Sequence, residues 1–339
     1  MSDQYKTVVI PAAEMQLCFE NILLGKGFKK DKAVQIASVF TNNSVDGVYT
    51  HGVNRFPRFI EYTKKRYIQI DAVPLLKSKF NGIEQWDGGL GPGISNAIFA
   101  TDQCMKLATA NGIGCVALSN TNHWMRGGTY GWQAAKAGYV FIGWTNTIAN
   151  MPAWGATDAR LGNNPLVIAL PYNNDAIVLD MALSQYSFGA MELSVMKKEK
   201  LRVYGGFDSD GNISDDPAGI LASKRPIPVG YWKGAGLALL LDILATILSG
   251  GLSTQELSKQ EAEYGLSQVF AAIDIAKLPG HSMIPSLIEN IIIDYKQSIP
   301  KDAFTSITYP GERVLQTREI NLSRGIPVMQ EVWDGILKL

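Results

Sequence analysis

A chain of 339 residues, 46% hydrophobic and 18% charged, is long enough for about two domains and can bury a real core. Its 31 basic and 31 acidic side chains cancel, so no net field draws it to nucleic acid or to an anionic membrane, and a small neutral or anionic molecule is the expected partner. The three cysteines, Cys18, Cys104 and Cys115, have no close metal-ligand spacing and read as buried thiols of a reducing, cytoplasmic compartment. The opening "MSDQYKTVVIPAAEMQ" lacks the basic segment and apolar core of a secretory signal.

From the amino end, apolar residues recur at helical spacing through "AAEMQLCFENILLGKGF" and "DKAVQIASVFTNNSVDG", with Gly25 and Gly27 between the two helices and Asp31 as the cap of the second. In "DGVYTHGVNRFPRF", Pro57 disfavours regular helix just before it, so His51 and Arg55 fall in a turn that enters a helix. Extended segments follow at "LKSKF" and "IEQWD", then the turn "GGLGPG" and the helix "ISNAIFATDQCMKLATANG", with Pro92 at an early helical position. The pattern repeats as strand "IGCVALS", helix "RGGTYGWQAAKAG" and strand "YVFIGWTN". Further strands are expected at "NPLVIALP", "AIVLDMA" and "SQVFAAIDI". The stretch "GGFDSDGNISDDPAG" reads as an exposed loop or hairpin, and helices return at 233–249, at 283–297 and over the last dozen residues. The run "GLALLLDILATIL" is shorter than the roughly 20 residues of a membrane span and carries Asp242, so it is expected to be a core helix ending near Gly250 and Gly251. The fold class is therefore mixed α/β with a helical N-terminal region. Soft boundaries divide it into residues 1–75, 76–225 and 226–339.

Motif searches exclude more than they find. In "GGLGPG", Ile94 stands where a dinucleotide fingerprint needs its third glycine, so the turn reads as a helix start. In "DSDGNISDD", Ile213 replaces the turn glycine of a calcium loop and no glutamate closes it. No Gly-x-Ser-x-Gly elbow, His-Glu-x-x-His pair or Gly-Lys-Ser/Thr loop occurs. His281 reads as exposed or capping. His51, titrating near neutrality, suits proton transfer to a carbonyl, and Arg55 could clamp a carboxylate; the alternative is a polar turn with a hydrogen-bonded histidine. At the end of the strand "IGCVALS", Asn120, Asn122, His123 and Arg126 form a polar group that suits either a ligand crevice or a helix cap. Asn163, Asn164 and Asp180 fall at strand ends, and Lys233 heads the apolar helix, where burial would call for an anion.

The ordered set "THGVNRFPRF", "NHWMRGGTYGWQAA", "MPAWGATDARLGNNPLVIALP", "LDMA", "GYWKGAGLALLLDILATILSGG" and "YPGER" resembles the malate/L-lactate dehydrogenase family that lacks a Rossmann fold, over roughly residues 10–339. The resemblance implies a non-Rossmann NAD(P)-binding fold with interleaved domains and a cytoplasmic homodimer that reduces 2-oxo acids with NADH or NADPH. No metal is implied. It implies that His51 is the proton donor and that Ile177, Val178, Leu179, Asp180, Met181, Ala182, Trp232, Lys233, Gly311, Glu312 and Arg313 contact the cofactor. It also offers Asp180 as a residue that orients the catalytic group. Thr50 stands where many relatives have serine. The segment "HWMRGG" resembles the diketogulonate branch, which points to a sugar acid, 2,3-diketo-L-gulonate, as substrate. Thr50, Arg55, Asn120 and His123 are then the expected substrate ligands. Malate, lactate, ureidoglycolate or a cyclic imino acid is the alternative substrate, and a non-catalytic sugar-acid or nucleotide binding protein the alternative class.

Overall fold

The computed structural model describes residues 6–302 and 305–339, so the first five positions of the opening stretch lie outside the described residues. After a short strand, β1 (Thr7–Ile10), come α1 (Ala12–Gly25) and α2 (Lys30–Val45). Met15, Phe19 and Leu23 of α1 are buried, as are Ile36, Val39 and Phe40 of α2, each set at the three- and four-residue spacing of one helix face. Lys29 is the N-cap of α2 and Asp31 lies in its first turn, where a negative charge suits the helix end without capping it. Two 3-10 turns, Tyr49–His51 and Val53–Arg55, lead into α3 (Phe56–Lys64), whose first turn accepts Pro57 because no intrahelical partner is needed there. Phe56 stacks on Phe19 at 4.1 Å and meets Phe40 edge-on at 5.2 Å, which fixes the start of α3 against both earlier helices.

The hairpin of β2 (Leu75–Phe80) and β3 (Ile83–Asp87) precedes α4 (Gly93–Asn111), β4 (Ile113–Thr121), α5 (Gly128–Lys136) and β5 (Tyr139–Thr145). Pro92 is the N-cap of α4 and lies just outside the helix rather than within it. A small ladder, β6 (Met151–Pro152) with β7 (Ala159–Leu161), is followed by the hairpin of β8 (Leu166–Tyr172) and β9 (Asp175–Met181). Helix α6 (Phe188–Met196), the hairpin β10 (Gly206–Phe207) and β11 (Ile213–Ser214), and α7 (Pro217–Ser223) come next. The chain ends with α8 (Trp232–Ser249), α9 (Thr254–Leu257), β12 (Leu266–Asp274), α10 (Ile284–Lys296), α11 (Glu312–Arg324), β13 (Ile326–Met329) and α12 (Gln330–Ile336).

Seven strands form one sheet in the order β2-β3-β4-β12-β5-β8-β9. Among the described residues its one parallel pair is β3 with β4, which α4 connects. The alternation of strand and helix does not build a parallel sheet, because β12 arrives from far downstream and lies antiparallel between β4 and β5. Alternate side chains of these strands face opposite layers. Val116, Leu118, Phe270 and Ala272 pack toward α4 and α5, whereas Ala117 and Val269 pack toward Ala245 of α8. A separate core holds α1–α3 together with Ile326, Val328, Trp333 and Ile336 from the end of the chain, and β13 pairs there with β1.

Helix α8 corrects one expectation. It buries Ala235, Ala238, Leu241 and Ala245 on the sheet, but its outer face leaves Leu239, Leu240, Ile243, Leu244 and Ile247 exposed. It is long and apolar enough to cross a membrane, yet it lies on the sheet with Asp242 accepting from Asn146 Nδ2 at 3.0 Å and Thr254 N at 2.8 Å. Cys104 is buried, but Cys18 and Cys115 are only partly so, and all three are free thiols.

Candidate active site

His51 closes the turn after α2, and the turn is held from below by that helix. Asn43 Nδ2 donates to the His51 carbonyl at 2.9 Å, and Val53 N–H donates to Ser44 Oγ at 2.8 Å. Gly52 is required between them, since a Cβ there would stand 2.3 Å from Ser44 Oγ. The neighbouring Thr50 hydroxyl lies 3.1 Å from His51 Nδ1, which leaves Nε2 free for a ligand. Gly189, at the start of α6, lets that helix sit against Thr50, 3.1 Å from Thr50 Cβ were it to carry a Cβ.

The two candidate histidines, 72 residues apart in the chain, meet face to face. Their rings are 5.7 Å apart, 21° from parallel. His123 Nδ1 accepts the Met125 N–H at 2.9 Å, so the proton of a neutral His123 is assigned to Nε2, where it can be donated. The position of His123 depends on the "GGLGPG" turn. A Cβ on Gly93 would fall 2.2 Å from the Asn122 carbonyl and 2.3 Å from that of His123, so the glycine allows α4 to touch the His123 backbone.

His123 lines a cleft with Arg55, Arg58, Asn122 and Glu263, together with the apolar Phe59, Ile68 and Met125. Burial, and then the cations Arg55 and Arg126, lower the pKa of His51 from 6.5 to about 4. Burial followed by Arg55 and His51 also lowers His123 well below its ordinary value. Both rings are accordingly neutral at pH 7 without a bound anion. Burial raises the pKa of Glu263, and Arg55 opposes that shift.

The three expected cofactor segments are brought together along β9, the outer strand of the sheet. Val178 N–H donates to the Pro310 carbonyl at 3.0 Å, and Val229 N–H to the Leu183 carbonyl at 2.8 Å, which sets Gly311 beside the strand and Trp232 near its end. Gly311 has φ +95°, a conformation that favours glycine, and a Cβ there would crowd Val178 N at 3.2 Å. Because the backbone groups of alternate residues in an antiparallel strand face the same side, Asp180 presents its own to the edge that Val178 uses. Glu312 starts α11, accepts from Tyr309 N–H at 3.2 Å and pairs with Lys296, whereas Arg313, Trp232 and Lys233 are exposed. Lys233 therefore has no burial to offset.

Asp180 accepts the Gly128 N–H at 2.7 Å and lies 3.9 Å from Arg126, while the hydrogen bond to the His51 ring comes from Thr50. Its link to His51 is indirect: Thr129, next to Gly128, donates to Asn43 Oδ1 at 2.8 Å, and Asn43 holds the His51 carbonyl. Arg126 pairs with Asp46, which also takes two hydrogen bonds from Arg318, at 2.6 and 2.9 Å. Asn120 is placed apart from this group. Its amide donates to Asp87 Oδ1 at 3.0 Å, and Asn122 takes its place in the cleft. Asn164 is buried and holds the Thr147 backbone and the Ala238 carbonyl, a structural role. His281 is exposed, and the Asp208 turn satisfies its own amides at Asp210 and Asn212. Arg58 was passed over although it lies in "THGVNRFPRF", three residues after Arg55, and Glu263 was missed because no motif contains it.

The family model described as malate/L-lactate dehydrogenase matches residues 10–337. This chain belongs to the malate/L-lactate dehydrogenase family. Family membership implies a nicotinamide cofactor. The chain is 42% identical over 324 residues to the 2,3-diketo-L-gulonate reductase of Pasteurella multocida, covering 95% of this chain and 97% of that one. It is 40% identical over 327 residues to the 2,3-diketo-L-gulonate reductase of Citrobacter koseri, covering 96% and 98%. Among family folds, the malate dehydrogenase of Entamoeba histolytica superposes with a TM-score of 0.92 at 21% identity, covering 98% of this chain and 97% of that one.

Proposed function

We propose that this chain reduces 2,3-diketo-L-gulonate to 3-dehydro-L-gulonate with NADH or NADPH, as a cytoplasmic homodimer. The carrying observation is the stack of His51 on His123, whose ring lines one cleft with Arg55, so that a proton donor lies against the cleft that holds a carboxylate clamp. The relatives' names supply the sugar acid.

The edge of β9 fits an extended cofactor outside any Rossmann pattern. Asp180 backbone groups face outward there, the Gly311 turn keeps close to the strand, and exposed Trp232 and Lys233 flank its end. Residues Ile177 to Ala182, Trp232, Lys233, Gly311, Glu312 and Arg313 would hold it, and when bound it supplies the hydride. In the three-region division, β12 of residues 226–339 completes the sheet of residues 76–225, while residues 1–75 carry His51.

Arg55 holds the substrate carboxylate through its planar fork. His51, protonated, donates from Nε2 to the 2-oxo oxygen as it gains charge, while Nδ1–H turns to the Thr50 hydroxyl. His123 donates from Nε2 to the neighbouring carbonyl or hydroxyl and stabilises the developing alkoxide. The empty-site His51 releases its proton readily, so the arriving carboxylate, by offsetting Arg55, favours proton uptake on binding.

The test is oxidation of NADH and NADPH with 2,3-diketo-L-gulonate, pyruvate and oxaloacetate in parallel, repeated with His51→Ala. Preferential turnover of the sugar acid is expected, falling about 10² to 10⁴-fold in the variant while cofactor still binds. Preference for another oxo acid would overturn the substrate, and an unaffected variant the mechanism.

A further inference from the structure

Glu263 is the acidic side chain of the cleft, and the fold clamps the loop that carries it. Ile148 N–H donates to its Oε2 at 3.3 Å. On either side, Tyr67 OH donates to Glu261 at 2.7 Å, and the Tyr67 and Tyr264 rings stack at 4.9 Å, only 9° from parallel. Tyr67 follows α3, the helix that supplies Arg58 to the same cleft, so Glu263 and the arginines are set by one packed unit. Glu263 and Arg55 line the same cleft and influence one another electrostatically, yet they do not close into an ion pair. Oε1 of Glu263 is left for a ligand.

A hydrogen-bond acceptor fixed in the same cleft as a carboxylate clamp has a use that depends on the rest of the substrate. A 2-oxo acid whose carboxylate is held at Arg55 and whose oxo group faces the histidines would have its tail left to meet Glu263. A polyhydroxylated tail brings O–H donors, a methyl group brings nothing, and a second carboxylate brings a like charge. We infer that Glu263 is the specificity-determining residue of the cleft: its carboxylate accepts a tail hydroxyl of a sugar acid and turns away a dicarboxylate. This rests on the proposed reductase reading and names the group that sets its substrate class. Discrimination of this kind combines a paired hydroxyl for one substrate with a repulsive contact for its rivals.

The experiment compares kcat/KM of wild type, Glu263→Gln and Glu263→Ala for 2,3-diketo-L-gulonate and oxaloacetate, each divided by that for pyruvate, which shares the 2-oxo acid head and lacks a polar tail. In Glu263→Ala the sugar-acid ratio is expected to fall at least about tenfold, chiefly through KM. Glu263→Gln, which keeps an acceptor, recovers part of that loss. In both variants the oxaloacetate ratio is expected to rise by about tenfold, a gain that a damaged fold does not produce. Ratios that stay constant while all three substrates change together would overturn the inference and leave Glu263 acting only through Arg55. A wild type that reduces pyruvate or oxaloacetate but not the sugar acid would overturn the substrate proposal instead. The Glu263 inference would then be decided by the oxaloacetate ratio alone, upheld by a rise and overturned by its absence.

Discussion

At the imidazole of His51 two requirements pull apart. In the proposed reaction the ring must be recessed to meet a substrate away from water, and recession beside Arg55 and Arg126 lowers its pKa to about 4. If the protonated ring is the form that reduces, kcat/KM for reduction is expected to fall tenfold per pH unit above about 4. The kcat profile should hold to a higher pH because bound carboxylate offsets Arg55. Profiles from pH 4 to 9 check this, and a kcat/KM that stays level up to pH 6.5 would count against it. The same shift has a sign for stability. The unfolded chain takes up the proton near 6.5 and the folded one only near 4, so the contribution of neutral His51 is intact above about 6.5 and is lost as the pH falls toward 4. His51 was legible in the sequence because histidine is scarce there and sits four residues before an arginine. Glu263 was not, because "QEAEYG" matches no motif, and its place is fixed by distant contacts of Tyr264 and Glu261 with Tyr67.

Among the elements, α4 shows how a helix start can serve a site without touching ligand. Its first residue, Gly93, lies against the carbonyls of Asn122 and His123. Gly93→Ala is expected to destabilise the fold by about 1 to 3 kcal/mol through overpacking. It should also lower turnover by about 10²-fold, as a displacement of His123 near an ångström would. Thermal melts and steady-state rates read both, and a stable, fully active variant would show that the His123 segment is not held there. The strands and long helices were legible because their apolar residues repeat at two or at three and four. α11 was missed because Asn321 is its one buried residue, and β1 and β13 because four residues carry too little pattern. No periodicity could show that β12 enters between β4 and β5, since pairing partners are chosen by the closed core rather than by neighbouring residues.

For the whole molecule, the outer face of α8 asks for a covering surface. Leu240 is 56% and Ile247 61% exposed on a helix that is apolar nearly all round, a composition suited to burial on both sides. A second copy related by a twofold axis would cover it with the same face, which is how we place the proposed homodimer. Sedimentation should give a dimer for wild type and a monomer for Leu240→Glu with Ile247→Glu. A monomeric wild type, or a variant that stays dimeric, would place the contact elsewhere or remove it.

The ribbon of β1 with β13 has a consequence for how the chain is made. The helices around His51 share their core with Ile326, Val328, Trp333 and Ile336, and Lys26 donates to the Leu339 carbonyl at 2.6 Å. At about 5 to 20 residues per second, the ribosome leaves α1–α3 without those partners for about 15 to 60 seconds. During that interval Phe19, Phe40 and Phe56 have only the partners that α1–α3 supply, so the nascent amino-terminal fifth is the stretch most in need of a holding chaperone. The turn that carries His51 is synthesised early and gains its full packing only when α12 has left the tunnel.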